Sequence, residues 1–392
     1  MQNLTTLLLL TTLLVSLMAC QSVKPLTINH SKNYQASLFL DENFSHYEEV
    51  PIESEAEIFA LSVEMKALAR KVALGRDTRQ KTTKLLKLFF SPEHINLAYR
   101  ASANVIAAET FKNKTANCLS LTIMAYAIAK EAKLSVAFQS VDIPEYWVRN
   151  GDVNMLTGHI NLSVFTQKLP QKNVIIGRSN IEIDFDPFVN KRSFPKSIIK
   201  KHTVLAMFYN NKGADAMVSG DYLEAYAYFK ASVTVDPLFS SAWGNLGILY
   251  RFKGYQQSAI KNYRYAIGLN RHNLTAMSNL SLLLFAQGDY QEAKRLDHII
   301  MSKRSLNPYY YSLLAQEQFY QGAYNIAIKH YKKAIKLNAN VPEFYFGLAK
   351  VYYRLKNLKK AKTYLKQAIK KNRSPQREAQ YIAKLEVLKK IR

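Results

Sequence analysis

A chain of 392 residues, 48% of them hydrophobic, has room for two or three domains with substantial cores. Only two cysteines occur, Cys20 and Cys118, which excludes a disulfide framework and leaves no Cys/His cluster at metal-ligand spacing; neither a metal nor an organic cofactor is expected. The net charge of +25 directs attention to a negative surface or nucleic acid as partner, with fifteen Lys or Arg between residues 349 and 392 against Glu378 and Glu386.

In chain order, Leu4 through Ala19 is an apolar stretch of Leu, Thr and Val, long enough for the core of a signal peptide and short for a membrane span. It ends in Leu17-Met18-Ala19-Cys20, which resembles the lipobox of bacterial lipoproteins. That resemblance implies removal of residues 1–19 and a lipid on the Cys20 sulfur. Gln21, where a retention signal prefers Asp, implies an outer-membrane anchor facing the periplasm. Met1-Gln2-Asn3 carries no Lys or Arg, so an uncleaved anchor is the alternative. Residues 20–53 mix Ser, Asn, His, Pro and acids without sustained period and read as a tether. An envelope address makes nucleic acid an unlikely partner and turns the positive charge toward anionic envelope surfaces.

Residues 54–200 read as helices followed by strands, an α+β domain. Ser54 and Glu57 form a capping box, and Ile58, Leu61, Met65, Leu68 and Val72 make one apolar stripe that Gly75 ends. Further helices are predicted over 78–90 and 95–110, separated at Ser91-Pro92. Thr115 or Asn117 then caps a helix that begins at Cys118 and carries Ile123, Met124, Ala127, Ile128 and Ala132 at helical spacing. Cys118 therefore stands where a helix's partial positive charge favours thiolates and its free amides can hold an oxyanion.

Strands are predicted at 134–141, at 158–165 with His159, and at 181–187, where Ile181, Ile183 and Phe185 share one face and Glu182, Asp184 and Asp186 the other. Pairing the last two strands sets an acid beside His159, which orients an imidazole that serves a nucleophile. Between the first two lies a loop, 144–151, whose Trp147 is either a substrate wall or packing over the sheet edge. Gln139 is a further polar candidate near the thiol.

The motifs Asn117-Cys118-Leu119-Ser120, Gly158-His159-Ile160-Asn161 and Ile183-Asp184-Phe185-Asp186-Pro187 resemble those of the transglutaminase-like superfamily of papain-like cysteine enzymes. The resemblance covers roughly residues 93–189. It implies a transglutaminase-like α+β fold with Cys118 as nucleophile, His159 as general base and acid, and Asp184 as orienting carboxylate, Asp186 being the alternative acid. The chain departs from animal transglutaminases in lacking a tryptophan after the histidine.

From residue 206 onward the sequence repeats with a period of 34, through five units that end at 375. Gly220, Gly254, Gly288 and Gly322 fall in phase with Lys356, and Ala225, Ala259, Ala293, Ala327 and Ala361 with one another. Gly213, Gly247, Ser281, Ala315 and Ala349 form a third series. The pattern resembles the tetratricopeptide repeat, which implies an all-α superhelix with a concave face for a protein or peptide. Asp297 replaces the ring found at Phe229, Tyr263 and Tyr331, so the third unit is expected to pack less well. Residues 376–392 are expected to form a capping helix. Asn211, Asn245 and Asn279 recur at the period, either as a ladder for an extended peptide or as local helix contacts.

Together these readings describe an envelope lipoprotein, held at the membrane through lipidated Cys20. Its Cys118-His159-Asp184 site performs acyl transfer or hydrolysis on amide bonds, and its repeats dock the protein substrate. The alternative is a catalytically idle, membrane-tethered adaptor for protein–protein contacts.

Overall fold

Polar caps divide the N-terminal third more finely than its apolar stripe suggests. The computed structural model describes residues 31–90, 98–99, 103–150, 153–166, 179–185, 194–372 and 381–386. After a first helix α1 (Lys32–Ala36), the Ser54–Glu57 capping box forms, but the helix it opens, α2 (Glu55–Ile58), stops after one turn. A second serine, Ser62, accepts from the Met65 amide and starts α3 (Val63–Ala73), so the single helix expected here is two. α4 spans Thr78–Phe90.

The helix expected over 95–110 is replaced by a short strand β1 (Ala98–Tyr99), irregular chain and α5 (Ala107–Asn113). Long-range bonds explain the difference. The buried Asn104 side chain donates to the Phe208 carbonyl at 3.0 Å, and the Val105 amide donates to the Ser120 hydroxyl at 2.9 Å. Those partners compete with the helical path. β1 pairs in parallel with β2 (Thr115–Ala116), which leads directly into α6 (Cys118–Glu131).

Eleven of the 14 residues of α6 are buried, as befits a helix that is apolar almost all round. It lies at the centre of the α+β part, against an antiparallel sheet of order β5-β4-β3-β6. The strands are β3 (Val136–Asn150), β4 (Val153–Thr166), β5 (Ser179–Ile183) and β6 (Lys196–Ile199). Phe138, Ile160, Leu162, Val164 and Ile183 enter the core, and Phe138 stacks on Tyr126 of α6 at 4.3 Å. His159, Asn161 and Ser163 alternate with them and occupy the opposite face.

The stretch 144–150, expected as a loop, belongs to β3. Its register against β4 shifts between Val141 and Tyr146, where Pro144 has no amide to give a ladder, and pairing then resumes as far as Asn150 opposite Val153. The result is a long hairpin arm that leaves the sheet. It reaches the repeats: Arg304 makes two bonds to Glu145, at 2.8 and 3.1 Å, and Asn307 donates to the Glu145 carbonyl at 2.7 Å.

The repeats are five antiparallel helix pairs: α7 (Lys201–Ser219) with α8 (Tyr222–Val235), α9 (Ser240–Phe252) with α10 (Gln256–Leu269), α11 (Leu274–Ala286) with α12 (Tyr290–Arg304), α13 (Pro308–Tyr320) with α14 (Tyr324–Leu337), and α15 (Pro342–Arg354) with α16 (Leu358–Lys371). A Cβ on Gly247 would lie 2.6 Å from the Tyr263 ring, which is why this position in the pair stays small. Gly220, Gly254, Gly288 and Gly322 close the first helices at φ between 78° and 85°, and Lys356 takes the same left-handed turn at 57°. In the third unit Asp297 is exposed, where Phe229 and Tyr263 are fully buried, and its carboxylate accepts from Ser281 at 2.6 Å. Residues 381–386 are helical and pack Tyr381 on Phe346, 4.9 Å between ring centres.

Residues 31–53 do not behave as a tether. Leu38 and Phe44 are 2% and 4% exposed, Phe44 lies face-on against Tyr226 at 4.2 Å, and Glu53 pairs with Lys212 and Tyr228. A polar composition hid this, because few apolar side chains suffice once a ready-made aromatic surface receives them. The rest of the predicted tether, and the signal and lipobox residues, lie outside the described residues. No helix among the described residues is long and apolar enough to cross a membrane.

Candidate active site

Asn117 accepts from the Ser120 amide at 2.9 Å and so caps α6, choosing between the two caps left open above. Its own amide nitrogen points to Asn104, the residue that holds the Phe208 carbonyl of α7. The end of the helix that carries the thiol is thereby tied to the first repeat. Cys118 is buried, at 9% exposure, with its sulfur 3.8 Å from the Gly158 carbonyl. Thr122 donates back to the Cys118 carbonyl at 2.7 Å.

β4 brings His159 to this sulfur, and β5 brings Asp184 to the histidine. Nε2 of His159 lies 3.0 and 2.9 Å from the two Asp184 carboxylate oxygens, with both side chains almost fully buried. That engages one ring nitrogen, and the ring also lies beside the Cys118 sulfur. Burial opposes charge on the ring, but the hydrogen bond to Asp184 and the neighbouring Cys118 sulfur outweigh it, and His159 is pushed up from 6.5 to about 10. The three predicted side chains therefore meet. Asp186, the alternative acid, lies outside the described residues, as does Cys20.

One feature of the site was not read from the sequence. Asn161 donates to Asp184 at 3.1 Å and is fully buried, so the carboxylate is held by a residue two places beyond the histidine. Gln139 stands opposite Asn161 in the ladder; it lines the polar face of the sheet two residues away from the His159 pair. Over this face the edge strands β5 and β6 are joined by Lys196 and Glu182 at 2.6 Å. Beneath, Gln139 Oε1, Asn161 Oδ1 and Ser163 Oγ are buried without a hydrogen-bond partner among the described residues. The available signal was alternation: His159, Asn161 and Ser163 are polar at period two in a strand whose other face is core.

Trp147 is half-buried in the hairpin arm, away from any loop. Its ring lies 6.2 Å from that of Tyr310, and the Arg304 guanidinium lies 5.1 Å from its centre, so it packs between the arm and the fourth unit. Asn245 donates to Asn210 of the preceding unit at 2.8 Å, Asn279 to its own helix at Thr275 at 2.9 Å, and Asn211 is half-buried on α7. Among the described residues no group of three His, Cys, Asp or Glu side chains is placed to hold a metal ion.

The C-terminal part of the chain is a superhelix of tetratricopeptide repeats. Family models described as tetratricopeptide repeat or TPR repeat match residues 240–273, 273–298, 315–356 and 342–375. The chain is similar to the Photosystem I assembly protein Ycf3 of Prochlorococcus marinus, 29% identical over 86 residues, which are 21% of this chain and 50% of that protein. It thus spans about half the length of this curated relative. Among solved structures it is similar to Pseudomonas aeruginosa pilF, with 18% identity over 48% of this chain and 89% of that one at a TM-score of 0.28. A MamA fragment from Desulfovibrio magneticus matches at 18% identity, over 42% and 93% of the two chains, with a TM-score of 0.25.

Proposed function

We propose that this protein is an interaction scaffold whose repeats hold a protein or peptide partner along their first helices. One observation carries the reading. Phe252, Phe285, Tyr320 and Tyr353 close the first helices of units two to five and are 49%, 57%, 58% and 46% exposed. Each of these units thus exposes a large ring at one of two adjacent positions at the end of its first helix, and large exposed rings recurring along successive repeats mark an interaction surface. A photo-reactive amino acid placed at Phe285 in living cells tests this, followed by rebinding of the cross-linked partner to purified wild type and to Phe285→Ala/Tyr320→Ala. Loss of affinity of tenfold or more supports this surface, and equal binding removes it.

The pairing of His159 with Asp184 beside Cys118 favours a second reading for the α+β part, a transglutaminase-like thiol site acting on amide bonds. Cys118 attacks the carbonyl as a thiolate paired with the protonated ring of His159, which Asp184 holds in place. The free amides at the start of α6 receive the oxyanion. His159 returns the proton to the leaving amine, and water or a second amine releases the acyl group from sulfur. Wild type and Cys118→Ala incubated with envelope proteins, then compared by mass spectrometry for cut or newly joined amides, test this reading. Identical profiles leave the scaffold alone. Membrane attachment through Cys20 is part of the same proposal and rests on Leu17-Met18-Ala19-Cys20. Its test is metabolic labelling with a palmitate analogue, which Cys20→Ser must abolish.

A further inference from the structure

Residues 35–47 lie across the first two units, and they lie there as a bound peptide does. The Leu38 carbonyl accepts from the Tyr250 hydroxyl at 3.2 Å and from the Asn262 amide at 3.1 Å, and the Leu40 amide donates to the Tyr226 hydroxyl at 3.2 Å. Side chains of the repeats thus satisfy the main chain of the segment. Main-chain bonds of this kind hold a peptide irrespective of its sequence, and with residues 41–44 in a short 3-10 helix, pockets for the side chains around them add selectivity.

The pockets are well defined. Phe44 stacks on Tyr226, and Phe39 on Trp243 at 5.4 Å. Asp41 accepts from Tyr226 at 2.7 Å and pairs with Lys230, whose ammonium also lies over the rings of Phe39 and Tyr47 at 5.0 and 4.1 Å. Nor is this a feature that every unit repeats. At the phase of Asn262 the other units carry Tyr228, Leu296, His330 and Tyr364, and at that of Tyr250 they carry Ala216, Leu284, Gln318 and Tyr352. The two groups that capture the Leu38 carbonyl coincide in the second unit alone.

We propose that the cleft formed by α8, α9 and α10 is a peptide-recognition site for short acidic segments with apolar anchors, in the pattern Leu-Phe-Leu-Asp-x-x-Phe. Its resident ligand is this chain's own residues 38–44. The connection to Glu53 is short, so the segment faces the cleft at a high effective concentration and excludes external peptides while it is seated.

The test uses the full chain and a fluorescent peptide of residues 36–50 as probe, read by anisotropy. Leu38→Ser/Phe44→Ala weakens the resident segment without touching the cleft. That variant is expected to bind the probe at least tenfold more tightly than wild type. Adding Lys230→Glu and Asn262→Ala to it is expected to lower the affinity at least tenfold. Failure of the first variant to bind while its circular dichroism is native, or equal binding by all three chains, overturns the proposal. Should that variant unfold, hydrogen exchange at the Leu40 amide decides in single-site variants. Asp41→Lys must speed it, and adding Lys230→Asp must slow it again; no recovery overturns the recognition of charge. Light scattering completes the test, because a dimer that loses its association in the Phe44→Ala chain would mean that the segment sits on a second copy and would overturn occupancy in cis.

Discussion

Replacing Asp184 by Asn keeps the size of the side chain and removes the charge that His159 faces, which makes it the sharpest probe of the site. The ring's displacement from 6.5 to about 10 corresponds, at 1.36 kcal/mol per pH unit, to about 5 kcal/mol in favour of the charged form, an upper bound shared between Asp184 and the Cys118 sulfur. Burial works against that charge and only the Cys118 sulfur still favours it, so without the carboxylate His159 is expected to titrate more than one pH unit below wild type. Histidine-selective NMR on a protein with eight histidines, with His159→Gln to assign the signal, reads the midpoint directly. The stability consequence follows from linkage. A folded-state value raised above the unfolded one stabilises fully below pH 6.5, and the contribution is lost as pH rises toward 10. The urea midpoint of Asp184→Asn should therefore trail wild type most at pH 6 and by clearly less at pH 10. A midpoint for His159 in the variant within one pH unit of wild type would refute the assignment of Asp184 as its partner.

Three further outcomes test the frame around the site. Gly247→Ala forces a methyl toward the Tyr263 ring at 2.6 Å and is expected to cost about 1–3 kcal/mol, seen as a lower urea midpoint of the repeats. Lys356→Gly relieves a left-handed residue at φ 57° and should stabilise by about 0.5–1 kcal/mol in the same measurement. Arg304→Ala removes the two bonds to Glu145 and the contact with Trp147; about 2–3 kcal/mol of local stability should be lost, and hydrogen exchange in residues 146–148 and 154–157 should quicken while α6 stays protected.

What the sequence determined by itself was whatever repeats or alternates locally. The period of 34 defined the helix pairs, because a left-handed turn favours glycine at one phase and a close helix contact needs a small residue at another. The strand with His159 and the strand with Asp184 were legible from alternation, and Cys118 from its cap. Folding alone decided the rest. Ser62 split a helix that one apolar stripe made continuous, and Asn104 and Ser120 drew residues 104–105 away from a helix by bonds to distant partners. Asn161 became part of the site only when register set it opposite the acid's strand, and Trp147 left its expected loop because an arm of sheet found the fourth unit to lean on. Residues 35–47, of mixed composition and without period, found their place on an aromatic cleft built more than 180 residues downstream. Period and alternation are properties of neighbours in the chain, whereas these last contacts join residues whose proximity exists only after the chain has closed upon itself.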